Sequence, residues 1–233
     1  MNIARASLVF AGLACATLFA GCKGTTMSAS LSTKEIAVFA DAVDDGSGYL
    51  IVTASLEARA PDNENYVRLS PGDTLSTTYA NKTYGLSETS DGHYQATIPL
   101  GDDPNVTIGM GRTKYTNAPG SGGVLPESVE FDLSGATISR SLDDLVLDLP
   151  ETVGYKTVDL SGPCIGSSHY DVGTNADYLT IPAGAIYASY ADDECYVDVT
   201  ISCELAGTVD PALNKQSRVG LRRTRTTSFY SVP

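Results

Sequence analysis

Two histidines, five cysteines and several runs of acidic residues are the side chains here whose types and spacing could support chemistry. Ser167-Ser168-His169-Tyr170-Asp171 collects serine, histidine and aspartate within one short segment. A catalytic triad needs those groups to converge from separate elements on a rigid frame, beside an oxyanion hole. Adjacent side chains in one loop cannot converge in that way, so the segment reads as a polar loop following Cys164. His93 comes directly after Ser90-Asp91-Gly92 and reads as the first residue beyond a hairpin turn. The sequence holds no Gly-x-Ser-x-Gly elbow, His-Glu-x-x-His helix or phosphate-binding glycine loop. No catalytic residue is assigned, and the expectation is a non-enzymatic protein, with a secreted hydrolase lacking a recognisable motif as an alternative.

Acidic clusters occur at Asp41 with Asp44-Asp45, Asp102-Asp103, Asp143-Asp144 and Asp192-Asp193-Glu194. Calcium requires several hard oxygens aimed at one point. The first cluster fails that pattern, because Val43 occupies a ligand position and no glutamate stands at the twelfth place counted from Asp41. Acidic turns between strands explain all four clusters, and neither a metal nor another cofactor is expected. The formal charge of −13 repels nucleic acid and anionic headgroups, which excludes a charge-docked role on either. Basic residues crowd the C-terminal segment at Lys215, Arg218, Arg222, Arg223 and Arg225, where a basic strand beside acidic ones would neutralise them. The 13 tyrosines suggest a glycan-stacking face as one alternative, although β-propensity explains tyrosines within strands.

Cysteine chemistry starts with Cys22. Arg5 supplies a positive n-region, residues 8–20 are apolar but too few to span a bilayer, and Ala20-Gly21 place small residues before Cys22. This arrangement resembles the bacterial lipobox, with Phe19 standing where that motif usually has leucine. The resemblance implies lipid attachment to the Cys22 thiol and cleavage of the bond before it. An ordinary secretory signal with an incidental cysteine is the alternative. Residues 1–21 are then a lipoprotein signal peptide, and 22–34, small and polar with no apolar period, a tether. Lys23 follows the cysteine, and by resemblance to lipoprotein sorting rules the lack of aspartate there favours the outer membrane. The implied address is the bacterial cell envelope, with the membrane as partner through the lipid and an envelope protein or a glycan as further partner.

The elements that must position these residues are strands. Helical periodicity is absent from the rest of the chain, and Thr, Ser, Val, Tyr and Gly recur in short alternating runs. The fold class is all-β. Strands are expected at 36–43, 49–56, 66–69, 74–79, 82–86, 92–98 and 106–110. A Gly- and Pro-rich stretch at 117–126 follows, and 128–133 would close the first domain. A second series runs through 136–139, 144–149, 155–160, 178–181, 195–205 and 218–230. Turn signals between these strands describe β-sandwiches. The expected domains are 35–133 and 134–233.

Tyr66-Val-Arg-Leu-Ser-Pro-Gly-Asp-Thr-Leu75, Ser139-Arg-Ser-Leu-Asp-Asp-Leu-Val146, Ile181-Pro-Ala-Gly184 and Gly207-Thr-Val-Asp-Pro211 together resemble bacterial lipoproteins of uncharacterised function with tandem immunoglobulin-like domains. The resemblance implies two immunoglobulin- or fibronectin-like sandwiches and transfers no catalytic or binding residue. In that topology 155–160 is strand C and 195–205 strand F, antiparallel neighbours, so Cys164 past the end of C reaches Cys195 at the start of F. Cys203 lies about eight residues, or ~27 Å, farther along F. The expected disulfide is Cys164–Cys195, with Cys203 a buried thiol and Cys164–Cys203 the alternative. A structural or protein-interaction role is the leading functional reading, and glycan binding or adhesion through exposed tyrosines is its rival.

Overall fold

A computed structural model describes residues 24–59, 65–151, 154–189 and 194–233; the signal segment, Cys22, Asp192 and Asp193 lie outside them. In chain order the strands are β1 (Thr25–Met27), β2 (Ile36–Asp44), β3 (Tyr49–Ala58), β4 (Tyr66–Arg68), β5 (Thr74–Tyr79) and β6 (Lys82–Gly85). They continue with β7 (Ser87–Ser90), β8 (His93–Pro99), β9 (Asn105–Gly111), β10 (Ala118–Val124), β11 (Thr137–Ser139) and β12 (Leu145–Asp148). The last are β13 (Tyr155–Ser161), β14 (Ser168–Gly173), β15 (Tyr178–Ile181), β16 (Cys195–Ala206) and β17 (Arg218–Val232). Only single turns of 3-10 helix accompany them among the described residues, so the chain is all-β.

One large sheet has the strand order β1-β4-β3-β2-β17-β16-β13-β14, extended by β7, β8 and β11 to 11 strands among the described residues. A four-stranded sheet, β10-β9-β5-β6, and a two-stranded one, β12-β15, complete the layers. Period-2 alternation decides which side chains face inward. Leu145 and Leu147 of β12 are buried while Val146 is exposed, and Val197, Val199, Ile201 and Cys203 of β16 are buried while Tyr196 faces solvent. Two hydrophobic clusters result. Leu75, Tyr79, Ile108 and Met110 from the four-stranded sheet join Val38, Val52, Leu56 and Ile98 in one. Leu145, Leu147 and Ile181 from the small sheet join Val158, Leu160, Val197, Val199 and Ile201 in the other.

The final strand belongs to both clusters. β17 pairs antiparallel with β16 along its length, and its first residues, Arg218 to Arg223, pair parallel with Phe39 to Asp44 of β2. Val219 and Leu221 enter the first cluster and Phe229 the second. Between them, in the same inward alternation, come Arg223 and Arg225, which meet the fully buried Asp44. Arg225 Nη1 and Nη2 donate to its two oxygens at 2.9 Å each, and Arg223 Nε lies 3.2 Å away. A charged seam therefore separates the two apolar clusters beneath one continuous sheet. Asp44, expected in a solvated turn, is instead the buried counter-ion of the basic strand.

The expected division at residues 133 and 134 is crossed in both directions. Val129, Phe131 and Leu133 pack in the second cluster without forming the expected closing strand, and Leu213, Val219 and Leu221 return to the first. The Gly- and Pro-rich stretch contains a strand, β10, paired with β9. Gly122 adopts φ +143°, and a Cβ there would strike the Val106 carbonyl, so glycine here permits close strand approach.

The segment expected as a tether is also structured. β1 pairs parallel with β4, and Ser28 is buried with its hydroxyl donating to Asp73 Oδ2 at 2.7 Å. Arg112 Nη2 donates to the carbonyls of Ser28 at 2.7 Å and Leu31 at 2.9 Å, and its Nε donates to Asp73 at 3.0 Å. Small polar residues have no apolar period because hydrogen bonds, rather than a greasy face, hold them down.

Candidate functional site

The disulfide joins Cys164 to Cys195 with Cα atoms 5.6 Å apart, while Cys203 stands outside it, buried in the second cluster. Antiparallel pairing of β13 with β16 brings the two cysteines together, since Ser161 lies opposite Asp198. The bridge fixes the loop between β13 and β14 and carries no chemistry of its own.

His169 lies on a strand instead of the expected loop, and β14 pairs antiparallel with β13, placing His169 opposite Asp159. Its Nδ1 is 2.6 Å from Asp159 Oδ1 and its Nε2 is 3.1 Å from Asp171 Oδ1, and Tyr155 donates its hydroxyl to the same Asp171 oxygen at 2.9 Å. The hydrogen bond with Asp159, then that with Asp171, raises the His169 pKa, which favours imidazolium. Asp171 is shifted down by the Tyr155 hydroxyl first and His169 second. Both ring nitrogens thus face carboxylates, and Ser168, the adjacent strand residue, points to the opposite side of the sheet. The pentapeptide assembles a surface charge cluster and not a triad. A shallow depression of about 380 Å³ lies beside it, lined by Tyr155, Asp159, His169, Ser202, Glu204 and Arg222.

Farther along the same face, cross-strand registers line up His93, Ser55, Phe39 and Arg218 in one row. Gln95, Thr53, Asp41 and Gly220 form the next. Depressions of about 370 Å³ and about 480 Å³ flank Phe39 and Asp41, which line both. The Arg59 and Arg218 guanidinium carbons each lie 5.5 Å from the Phe39 ring centre. Asp41 is exposed, and a Cβ at Gly220 would collide with its carboxylate, so glycine leaves the aspartate room on this face. The sequence shows Asp41 only as part of an acidic turn; its place within a row that crosses four strands follows from the β2–β17 junction, which no local pattern announces.

Exposed tyrosines are dispersed. Tyr196 and Tyr230 meet with ring centres 5.3 Å apart, while Tyr49, Tyr155, Tyr178 and Tyr187 sit on other elements. Among the described residues no group of three or more His, Cys, Asp or Glu side chains is arranged to hold a metal ion. None of their helices is long and apolar enough to cross a membrane.

No family model matches the chain, and no curated protein matches it. Among solved structures 18 chains match. One is the Bacteroides ovatus mixed-linkage glucan utilization locus protein SGBP-B in complex with a mixed-linkage heptasaccharide. It is 12% identical, with 96% of this chain and 69% of that chain covered and a TM-score of 0.19.

Proposed function

We propose that the chain is a non-enzymatic protein of the bacterial cell envelope, anchored through lipid on Cys22, whose work is protein interaction through the outward face of its large sheet. The observation that carries this reading is the Phe39, Asp41 and Arg218 grouping. Aromatic and arginine side chains are enriched where proteins meet, and here an arginine and an aspartate present their charges beside an aromatic ring. The adjoining depressions are shallow and lie on an open sheet face, a form suited to a partner's surface more than to an enclosed small molecule.

A glycan partner is the second reading, favoured by the Tyr196–Tyr230 pair, whose next neighbours on the same face are the hydrogen-bonded Asp198 carboxylate and Ser228 hydroxyl. Capture from envelope extract separates the two. The lipid-free mature chain should retain a defined protein, and Arg218→Glu should release that protein without altering the fold. Retention of envelope polysaccharide alone, unaffected by Arg218→Glu, overturns the protein-interaction reading.

A further inference from the structure

β14 ends the strand order of the large sheet and among the described residues pairs with β13 alone, which leaves its outer row of backbone groups without a ladder partner there. An edge of this kind is a template for a further strand unless proline, lysine or a bulge blunts it. Ser168-His169-Tyr170-Asp171 contains neither proline nor lysine and runs in regular register opposite Leu160 to Thr157; the bulge comes only at Val172, just past it.

Charge selects the occupant. His169 and Asp171 share the outward face, two residues apart, on either side of Tyr170. Two copies of this strand placed antiparallel about a two-fold axis must oppose residues of equal parity, because directly opposite residues share a face. Centring on residue 169 sets histidine against histidine, and centring on 171 sets aspartate against aspartate. Centring on Tyr170 alone sets His169 opposite Asp171 twice. The four side chains then form a ring of alternating charge, in which each His169 keeps Asp159 and Asp171 of its own copy on its two ring nitrogens and faces the second copy's Asp171 through charge alone. Below the sheet Tyr170 meets Tyr170, and both lie against apolar ground already continuous with the second cluster. Asp159 on β13 stays beside His169 within each copy and supports its charge.

We propose that β14 is a self-association edge, pairing antiparallel with β14 of a second copy about Tyr170 to continue the large sheet across the dimer. The inference goes beyond the reading above, because the partner is the chain itself and the surface is an edge and not the Phe39 face. A protein that self-associates but captures nothing from the envelope upholds this proposal and sinks that one.

The test uses mature chain 22–233 carrying Cys22→Ser, in sedimentation velocity over a concentration series. A monomer–dimer equilibrium is expected. His169→Asp, which opposes aspartate to aspartate, should abolish the dimer, and Asp171→His should do the same through facing histidines. The double exchange, His169→Asp with Asp171→His, should restore it. Both positions are exposed, and circular dichroism checks that each variant is folded. As a register-specific probe, Tyr170→Cys should form an inter-copy disulfide under mild oxidation, whereas Ser168→Cys should not. A species monomeric at every concentration, a dimer indifferent to the single charge changes, or failure of the Tyr170→Cys cross-link each overturns the proposal.

Discussion

Asp73 and Arg112 are almost fully inaccessible to solvent, and together they decide whether the first ten described residues belong to the fold. Burial on its own raises the Asp73 pKa. Hydrogen bonds from Ser28 and Thr113, with the Arg112 charge, outweigh it and bring the pKa down to about 2. A carboxylate depressed in the folded state adds stability that is complete above its unfolded pKa of 3.8 and disappears as pH falls through about 2. Urea unfolding should therefore show stability declining between those values. Asp73→Asn should remove that part of the pH dependence and at neutral pH cost about 3 to 5 kcal/mol, because Arg112 keeps its charge with no counter-ion. An unchanged pH profile in the variant would show that the pair does not control the acid limb. This contact was not legible in the sequence. Asp73 stands in a Ser-Pro-Gly-Asp turn, and Arg112 is 39 residues away with no pattern linking the two.

Strands were legible wherever one face is apolar and the other polar. β12 and β16 read directly from alternation, and the Cys164–Cys195 bridge followed from placing β13 beside β16. Four elements escaped for physical reasons, the first being β7, which is polar and exposed at every position and so shows no alternation. β10 is rich in the glycine that usually breaks strands but here lets β9 come close. β14 is polar on its exposed side and edges the sheet, so its pattern is that of a loop. The segment around β1 is held by hydroxyls and an arginine. β17 was visible as a strand, but its partners were not, since parallel pairing with β2 joins residues roughly 180 positions apart and depends on the Asp44 seam. That sharing has a thermodynamic consequence. Phe229→Ala should cost about 3 to 5 kcal/mol as a fully buried aromatic removed from the second cluster. Because β17 also completes the first cluster, calorimetry should show one transition moved to lower temperature. Two separated transitions would mean that the clusters unfold independently and that the seam does not couple them.

For the whole molecule, the docking of the N-terminal segment changes what lipid attachment would do. Gly24 accepts a backbone hydrogen bond from Tyr66 at 2.9 Å, so the chain is already docked on the fold two residues after Cys22. Cys22 would lie no more than about 10 Å from the start of β1 at Thr25, where a loose tether over residues 22–34 would have allowed several times that reach. The body would then be held against the bilayer at the β1 edge. β14, seven strand positions away in the sheet order, would stand roughly 33 Å from it and remain open to another copy. Cys22 precedes every contact described, so its loss should separate anchoring from folding. Cys22→Ala protein freed of its signal should move from the membrane to the soluble fraction and melt at the same temperature as the lipidated protein in detergent. Protein that stays with the membrane after signal removal would disprove the lipid anchor. Release accompanied by a lowered melting temperature would instead show that residues before Gly24 are part of the folded body.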